Sequence, residues 1–349
     1  MFKYPIIRLV RLEDTPYGGA ENYLRRLSAV LTQRQIAHEA LHSKAPRWLA
    51  SWIRILWFNY QTKRWKKDQF YFSLARITCP DIYRAGDGVH RVYMKIKGAT
   101  WWPNPLHFIY CMLEKRCFEH AKKIIANSQM VKQQIIETYH TAPEKISVVY
   151  NGIDWPTVDE TTRRKVLRAS LYIPLDKKVI LFAGCDFRRK GLDSFFSILQ
   201  QLKNDYRAIV VGDDKFSRQY HRLAEQLGIH QKIQFLGKQK NINDYYAMSD
   251  IFLLPSRYDP FANVILEAMA LNNAVITTQQ NGASEILQSE FVMKNTDDKA
   301  IVAVIDRLLR DDIYLTATKK ANQTRARGFS IEKNVQETLA VIESCLSTS

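Results

Sequence analysis

The chain has few cysteines, and their spacing matches no metal site. They form no C-x-x-C pair and no metal-ligand pattern with the eight histidines. This excludes a zinc module and a disulfide framework as the organising principle. We therefore expect a reducing compartment, no metal ion and no cofactor. The five cysteines are Cys79, Cys111, Cys117, Cys185 and Cys345.

Long hydrophobic runs are also missing. Nowhere do about 18 apolar residues follow one another, as a membrane-spanning helix requires. The first fourteen residues lack the uninterrupted apolar core of a secretion signal. We expect a cytoplasmic protein that does not span a membrane. The chain shows neither a repeat of fixed period nor a low-complexity tract, which excludes solenoid and fibrous architectures.

Acidic residues are scarce in the first half of the chain. The protein has 51 Lys and Arg against 35 Asp and Glu, a formal net charge of +16. Residues 1–155 hold 24 basic and 12 acidic residues, so this part alone carries +12 and the rest +4. All seven tryptophans lie there too. We therefore expect the first half to meet an anionic partner.

The pattern of apolar runs predicts two α/β domains. At 349 residues the chain is longer than one core usually serves. From residue 177 onward, short apolar runs alternate with amphipathic segments, which is typical of βαβ units and a doubly wound parallel sheet. The first half begins in the same way, with a strand at 6–10 and a helix at 20–34. Turn signals at 151–156 place the boundary near residue 155. The expected elements of the second half are strands at 179–183, 208–211, 233–236, 251–254 and 274–277, with helices at 192–202, 218–227 and 243–248.

A strand-loop-helix junction sets two carboxylates eight residues apart. Residues 252–255 are predicted to end a buried strand, 257–262 to form a loop and 264–271 to form a helix. Asp259 lies in the loop, and Glu267 lies about one turn into the helix. The first turn of such a helix offers backbone N–H groups to an anion. Alone, the spacing favours an ordinary surface pair, with Asp259 solvated in the loop and Glu267 exposed on the helix. The residues expected at the anion-binding helix start are Phe261, Ala262, Asn263 and Val264.

A basic loop follows the strand at 179–183. It carries Arg189 and Lys190, which a parallel sheet would place at the edge where ligands bind. Arg offers a planar fork to phosphate and Lys a point charge, so the pair suits a diphosphate. The alternative is a solvated basic loop.

Glycines mark three further loops. Gly18 and Gly19 precede the first predicted helix, where the absence of a Cβ lets a ligand approach the backbone. Gly237 ends another strand. Asp87 lies between two glycines after a short apolar run. Each of these is also consistent with an ordinary tight turn.

In their order along the chain, these segments resemble the retaining glycosyltransferases of group 1, or family 4. Residues 18–21 resemble the G-G-x-E opening of that family, and residues 188–191 its x-R-K-G element. Residues 259–267 resemble its E-x7-E signature, except that Asp259 stands where the first Glu usually does. Residues 81–98, followed by 118–128 interpreted as helical, are most similar to the lipopolysaccharide core glucosyltransferase I family.

The resemblance implies an α/β fold of the GT-B type, with two Rossmann-like domains facing across a cleft. Residues 1–155 would bind the acceptor and residues 156–330 the nucleotide sugar. Residues 331–349 would form a helix that packs back on the first domain.

The resemblance also implies roles for the site residues. Arg189 and Lys190 would bind the donor diphosphate, Glu267 the ribose and Asp259 the donor hexose. Gly18, Gly19 and Gly237 would face the donor, with the nucleobase edge beside Gly237. Asp87 would orient the acceptor hydroxyl or help to deprotonate it. The implied reaction moves a hexose, glucose by this resemblance, from a UDP-sugar to a lipopolysaccharide-core or related glycan, with retention and without a metal.

Two other functions stay open on the sequence. A sugar-nucleotide epimerase of the same fold would bind UDP and transfer nothing to an acceptor. A binding protein on a transferase scaffold would hold an anionic surface and release no nucleotide.

Two segments interleave aromatic and basic residues, at 44–72 and 91–123. This composition is typical of surfaces that bind anionic lipid, and we expect peripheral attachment to the inner face of the cytoplasmic membrane. The alternative is that the aromatics fill a core and the cations form a solvated rim. We expect no nucleic acid, because no nucleic-acid module is recognisable. The residues concerned are Arg47, Trp48, Trp52, Arg54, Trp57, Arg64, Trp65, Lys66, Lys67, Arg91, Lys95, Lys97, Trp101 and Trp102.

Overall fold

The computed structural model describes residues 5–13, 19–46, 48–67, 69–98, 105–157 and 159–347. The chain divides into two compact units, Met1–Asn151 with Ile331–Ser349, and Gly152–Ser330. Gly18, Arg47, Trp101 and Trp102, named above, lie outside the described residues.

Strands and helices alternate along the chain. The strands are β1 Ile7–Val10, β2 His38–Leu41, β3 Phe70–Ser73, β4 Ile82–Ala85, β5 Lys123–Ala126, β6 Ile146–Val148, β7 Val179–Ala183, β8 Arg207–Val211, β9 Ile233–Gly237, β10 Ile251–Leu254, β11 Ala274–Thr278 and β12 Val292–Met293. The helices are α1 Gly19–Gln33, α2 Ser51–Trp65, α3 His90–Lys97, α4 Pro105–His120, α5 Gln129–Tyr139, α6 Glu160–Ser170, α7 Phe187–Lys190, α8 Leu192–Gln201, α9 Ser217–Gln226, α10 Ile242–Met248, α11 Asn263–Ala270, α12 Ala300–Arg310, α13 Asp312–Ala326 and α14 Ile331–Ser347. Short 3-10 helices span Pro143–Lys145, His230–Lys232, Gly282–Ile286 and Ser289–Phe291.

Each unit is built on a parallel sheet. Over the described residues the strand order is β2-β1-β3-β4-β5-β6 in the first unit and β12-β11-β10-β7-β8-β9 in the second. In β3, β4, β7, β10 and β11 every residue is buried. Parallel strands covered by helices on both faces read as continuous apolar runs, which explains why the runs are visible in the sequence. The predicted fold of two Rossmann-like α/β units is confirmed.

The last helix completes the core of the first unit. Apolar residues of α14, among them Val335, Leu339 and Ile342, lie in one cluster with Ile7 and Leu27. Each is at most 2% exposed. Burying one such side chain stabilises a fold by about 1.5–3 kcal/mol, so α14 is bound firmly to this unit.

One expected helix is interrupted. The prediction of a helix over 118–128 is wrong, because α4 ends at His120 and β5 begins at Lys123. Ile124 pairs with Tyr83 of β4 and with Ile146 of β6 in the parallel ladder. Two β-branched residues fit a fully buried strand between two neighbours better than a helix turn, and this tertiary pairing decides the outcome. The short helix α7 also lies where a loop was expected.

In the described part of the chain, no helix combines the length and the apolar character that crossing a bilayer requires.

Candidate functional site

The second sheet has a topological switch point between β7 and β10. The chain adds β8 and β9 on one side of β7 and then returns to place β10 on the other. Connections that leave neighbouring strands in opposite directions open a crevice at the carboxyl ends of those strands, where ligands bind in open α/β sheets. The loops that follow β7 and β10 hold Arg189, Lys190 and Asp259.

These three side chains form one ion cluster. Arg189 Nη1 lies 2.8 Å and Lys190 Nζ lies 2.6 Å from the same oxygen, Oδ2 of Asp259. Nearly seventy residues separate the partners in sequence. The side chains of Lys190 and Asp259 are only 10% and 9% exposed, and that of Arg189 is 27% exposed. The cluster therefore combines two cations and one carboxylate in a largely dry setting.

The charge states of the cluster support each other. Burial by itself would raise the pKa of Asp259, but the charges of Lys190 and Arg189 and the hydrogen bonds from both outweigh burial and lower that pKa. Burial likewise opposes the charge of Arg189, and Asp259 and Asp186 raise its pKa. Asp259 is thus ionised, and the cluster has one positive charge in excess.

The backbone around Asp259 is fixed by the loop that follows β11. Asp259 N–H donates to Gln280 O, and Gly282 N–H donates to Asp259 O, both at 2.9 Å. The buried Asn281 side chain accepts from the N–H groups of Ala262 and Ala283 at 3.2 and 3.1 Å. Asn281 therefore links the approach to α11 with the 3-10 helix Gly282–Ile286.

Two of the four expected backbone donors are used inside the protein. Phe261 N–H donates to Oδ1 of Asp259 at 3.2 Å, and Ala262 N–H donates to Asn281. No side chain caps the helix at Ala262, and α11 begins at Asn263. Asn263 and Val264 lie in the first turn of α11, where the helix dipole favours an anion.

A glycine allows the two loops to meet. A Cβ on Gly191 would lie 1.9 Å from the carbonyl oxygen of Pro255, and the φ of Gly191 is +77°. Both facts exclude a side chain. Gly191 thereby lets the end of α7, which carries Arg189 and Lys190, lie directly against the loop that follows β10.

Arg257 also stabilises the contact between α7 and the loop that follows β10. Its guanidinium forms a two-pronged ion pair with Asp193 at 2.7 and 2.6 Å and also donates to Arg188 O at 2.7 Å. Its backbone N–H donates to Arg189 O at 2.8 Å. Asp186, with φ +60°, caps α7 through Arg189 N–H and pairs with the Arg189 side chain at 3.0 Å. The position of α7 is therefore determined by several charged hydrogen bonds.

Glu267 lies on α11, where it contacts a buried tyrosine. The hydroxyl of Tyr246 donates to Oε2 of Glu267 at 3.2 Å. Tyr246 is fully buried, and burial together with Glu267 raises its pKa well above the usual range. The tyrosine stays protonated and holds one oxygen of the carboxylate.

Gly237 ends β9 at the same edge of the sheet. It has φ +63°, and its carbonyl oxygen accepts from Gly212 N–H at 2.9 Å. No atom lies within 4 Å of where its Cβ would stand, so space at Gly237 is open.

In the first unit, Asp87 follows β4 at the carboxyl edge of that sheet. Its side chain is 52% exposed and lies 3.8 Å from Arg11 Nη1 and 3.9 Å from Arg76 Nη1. Arg76 also donates to Gly88 O at 3.2 Å and to the buried Glu114 at 2.9 Å. Asp87 is thus an accessible carboxylate flanked by two guanidinium groups.

Glu114 organises the loop that carries Asp87. Its carboxylate is inaccessible and accepts from His90 N–H, Arg91 N–H and the Tyr139 hydroxyl, as well as from Arg76. His90 Nε2 lies 3.1 Å from His107 Nδ1, and burial followed by the charge of Arg76 lowers the pKa of His90 to about 4. Near pH 7 this histidine is neutral.

The predicted residues fall into two groups. Arg189, Lys190 and Asp259 are in contact, and Phe261, Ala262, Asn263, Val264, Glu267 and Gly237 lie on segments that end or begin at the same sheet edge. Asp87 belongs to the other unit, as does Gly19, the first residue of α1. The sequence motifs do not indicate the supporting side chains of Arg257, Asp193, Tyr246, Arg76 and Glu114. Asn281 has a local signal as a helix cap, and its side chain does cap the 3-10 helix Gly282–Ile286 by accepting from Ala283 N–H.

Two known families match most of the chain. Residues 163–328 match Glycosyl transferases group 1, and residues 68–155 match Glycosyltransferase Family 4. The first match contains the ion cluster and Glu267, and the second contains Asp87.

Curated relatives are distant and diverse. The lipopolysaccharide glucosyltransferase WaaG of Escherichia coli is 28% identical over 211 residues, covering 57% of this chain and 55% of WaaG. An uncharacterized glycosyltransferase of Methanocaldococcus jannaschii is 28% identical over 201 residues, 54% of this chain and 51% of that protein. A Campylobacter jejuni enzyme named for transfer of N-acetylgalactosamine to a diphospho-undecaprenol-linked sugar is 25% identical over 226 residues, 64% and 60% of the two chains. The matched part thus spans about half to three fifths of these relatives.

Solved structures match along almost the whole chain. The crystal structure of WaaG, a glycosyltransferase involved in lipopolysaccharide biosynthesis, has a TM-score of 0.80 at 18% identity, covering 97% of this chain and 99% of WaaG. Anabaena HepE in complex with UDP and glucose has a TM-score of 0.75 at 19% identity, covering 98% and 100%. At these identities the likeness establishes the fold.

Proposed function

The chain belongs to the group 1, or family 4, glycosyltransferases and has their GT-B fold, and we propose that it moves a hexose from a UDP-sugar to a glycan hydroxyl. In this proposal the hexose is glucose and the acceptor a lipopolysaccharide core or related glycan. The configuration at the anomeric carbon is retained, and no metal takes part. The observation that carries the proposal is the cluster of Arg189, Lys190 and Asp259 at the switch point of the second sheet.

The reaction breaks the bond between the anomeric carbon and the phosphate oxygen of UDP. The electron pair leaves with UDP, and the acceptor oxygen forms its new bond on the same face of the sugar. Arg189 and Lys190 meet the charge that develops on the diphosphate, together with the start of α11 at Asn263 and Val264. These groups are held in place before the reaction, and stabilisation of that kind is usually the largest single contribution to the rate.

The rest of the donor is assigned to neighbouring segments. Glu267 accepts hydrogen bonds from the ribose hydroxyls, and the open backbone at Gly237 lies beside the nucleobase. Gly19, at the start of α1, is kept as a donor-facing residue of the first unit, as is Gly18, which lies outside the described residues. HepE, which shares the fold, has been crystallised with UDP and glucose, and this supports UDP as the nucleotide.

The acceptor is assigned to the first unit. Asp87 orients the acceptor hydroxyl and takes its proton, because its carboxylate is accessible at the carboxyl edge of the sheet. Arg11 and Arg76, which flank it, suit a phosphorylated acceptor. The name of WaaG, a lipopolysaccharide glucosyltransferase, supports a glycan of this class.

Helix α2 is the surface that we assign to an anionic membrane. Trp52, Trp57 and Tyr60 are 37%, 49% and 59% exposed, and Lys63 and Arg64 are exposed as well. By helical periodicity these five residues fall within about 140° of arc. The buried residues of the helix, Ile55, Phe58 and Thr62, lie on the opposite side. Aromatic and basic residues on one helix face are typical of binding to anionic lipid.

Thermal unfolding with nucleotides tests the donor site. UDP, GDP, ADP and CMP are compared at millimolar concentration with the wild type, Glu267→Ala and the control Glu225→Ala, which changes an exposed glutamate on α9. A ligand at 100 times its Kd stabilises the folded state by about 2.7 kcal/mol. We expect a shift with UDP in the wild type and the control that is strongly reduced in Glu267→Ala. No shift with any nucleotide would contradict the proposal and favour a binding protein.

Transfer and membrane binding need separate measurements. UDP release from UDP-glucose should require a glycan acceptor; acceptor-independent conversion of the sugar would instead indicate an epimerase. Sedimentation with anionic vesicles should decrease when Trp52, Trp57 and Tyr60 are replaced by Ser, and zwitterionic vesicles serve as the control. Equal sedimentation of the triple variant would exclude α2 as the membrane-binding surface.

A further inference from the structure

Both oxygens of Asp259 are occupied by the protein itself. Oδ2 accepts from Arg189 at 2.8 Å and from Lys190 at 2.6 Å, and Oδ1 accepts from Phe261 N–H at 3.2 Å. The side chain is only 9% exposed. The strongest interactions of this carboxylate are therefore with the two cations, and little of its surface is available to a sugar hydroxyl.

The backbone on both sides holds the Asp259 carboxylate in this position. Asp259 N–H donates to Gln280 O, and Gly282 N–H donates to Asp259 O, in the loop that follows β11. From this fixed backbone the carboxylate reaches the two cations of α7.

We propose that Asp259 is a positioning residue, the counter-ion that holds Arg189 and Lys190 side by side for the donor diphosphate, and not a ligand of the hexose. This inference rests on the proposed function, since it takes the two cations to be the diphosphate ligands. It replaces the hexose role that the family resemblance implies for this position.

The charge balance predicts how UDP binding should change when the charge of Asp259 is removed. Two cations 2.6 and 2.8 Å from one oxygen would repel each other without it. With Asp259 the three side chains sum to +1, and the charge of Asp186 beside Arg189 is half exposed and screened by solvent. This net charge attracts a diphosphate but also permits its release. Without the carboxylate charge the cluster has +2, so the product UDP is bound more tightly while the cations lose their common anchor.

The test is Asp259→Asn, which keeps the size of the side chain and removes its charge. We expect the Kd for UDP to fall by about tenfold, equivalent to about 1.4 kcal/mol, as measured by calorimetry. We expect kcat for acceptor-dependent UDP release to fall by at least about tenfold, because product release slows and the cations are displaced. A hexose ligand gives the opposite split: unchanged UDP affinity, a raised KM for UDP-glucose and unchanged product inhibition. That pattern would overturn the proposal.

Asp205→Asn is the control. It also removes a carboxylate that pairs with a lysine, but this one is 63% exposed and its partner Lys177 is not part of the cluster. Solvent screens exposed charges, so the Kd for UDP should change less than about threefold. Equal tightening in both variants would show that general charge, and not the position of Asp259, is responsible.

Asp259→Glu keeps the test decisive if the Asn variant does not fold. As a counter-ion, Glu preserves the charge, so UDP affinity should stay within about threefold of the wild type and the choice between UDP-glucose and UDP-galactose should not change. A changed choice of hexose with unchanged UDP affinity would contradict the inference. If wild-type protein binds no nucleoside diphosphate, the proposed function fails first, which distinguishes the two failures.

Discussion

Lys190 is the side chain whose replacement tests the leaving-group role most directly. Its Nζ lies 2.6 Å from Asp259, and the side chain is 10% exposed, so its charge acts in a largely water-free setting. Removing one preorganised group that stabilises transition-state charge typically lowers kcat by about 10²–10³-fold, or about 2.7–4 kcal/mol. We expect Lys190→Gln to lose activity by this factor. Asp259 keeps Arg189 at 2.8 Å, so the loss of stability should stay below the roughly 3–5 kcal/mol of a fully orphaned buried partner.

The assay is acceptor-dependent release of UDP at saturating UDP-sugar, with the folded fraction measured by thermal unfolding. Lys177→Gln is the control, because Lys177 pairs with Asp205, whose side chain is 63% exposed. Exposed ion pairs contribute about 0–1 kcal/mol, so both the activity and the melting temperature of the control should remain near wild type. Turnover of folded Lys190→Gln within about threefold of wild type would refute the leaving-group assignment.

Three further predictions concern the surroundings of the cluster. Gly191→Ala should destabilise the fold by at least about 2 kcal/mol, because its Cβ would lie 1.9 Å from Pro255 O at a φ of +77°. Urea unfolding measures this, and an unchanged urea midpoint would contradict the close contact. Tyr246→Phe removes the hydroxyl that orients Glu267. It should therefore weaken UDP binding by about tenfold and reduce the preference for UDP over 2′-deoxy-UDP. Wild-type affinity and preference in calorimetry would rule this out. The pKa of Asp259 is lower in the folded chain than the ordinary aspartate value of 3.8, because, against the effect of burial, Lys190 and Arg189 stabilise its charge. Its ionised form therefore contributes stability that is fully present above pH 3.8 and lost as the pH falls through the folded pKa. The melting temperature of Asp259→Asn should therefore fall less steeply below pH 4 than that of the wild type. Parallel curves of melting temperature against pH for the two proteins would refute this prediction.

The second sheet was predictable because its strands are buried on both faces. The runs at 179–183 and 251–254 coincide with β7 and β10, and neither has a polar position. The helix at 192–202 agrees with α8 to within one residue. The error at β5 arises because only three residues separate its two isoleucines from the polar end of α4, and the neighbouring strands determine which structure they adopt. The local sequence pattern predicted strands correctly where every residue of the strand is buried. It failed where pairing with neighbouring strands determines the structure.

The site was predictable in its composition and not in its contacts. Arg189, Lys190 and Asp259 were found as separate motifs, because each follows a strand that ends at the ligand-binding edge. Arg189 and Lys190 bind one oxygen of Asp259 because β10 lies beside β7 in the sheet. This order brings together segments that are about seventy residues apart in the sequence. Without knowledge of that strand order, the family resemblance assigns Asp259 to a sugar and the two cations to a diphosphate, as if the two roles were independent.

The same limitation applies to the first unit, where the carboxylate with the most partners is not the one that the motif indicates. Asp87 was found because glycines flank it, whereas Glu114 lies inside α4 with no local signal. Yet Glu114 binds Arg76, the start of α3 and Tyr139, and Arg76 in turn flanks Asp87. Because a buried carboxylate needs several donors and its donors come from three separate segments, the residue that holds the candidate acceptor site in shape is visible only once the chain is folded.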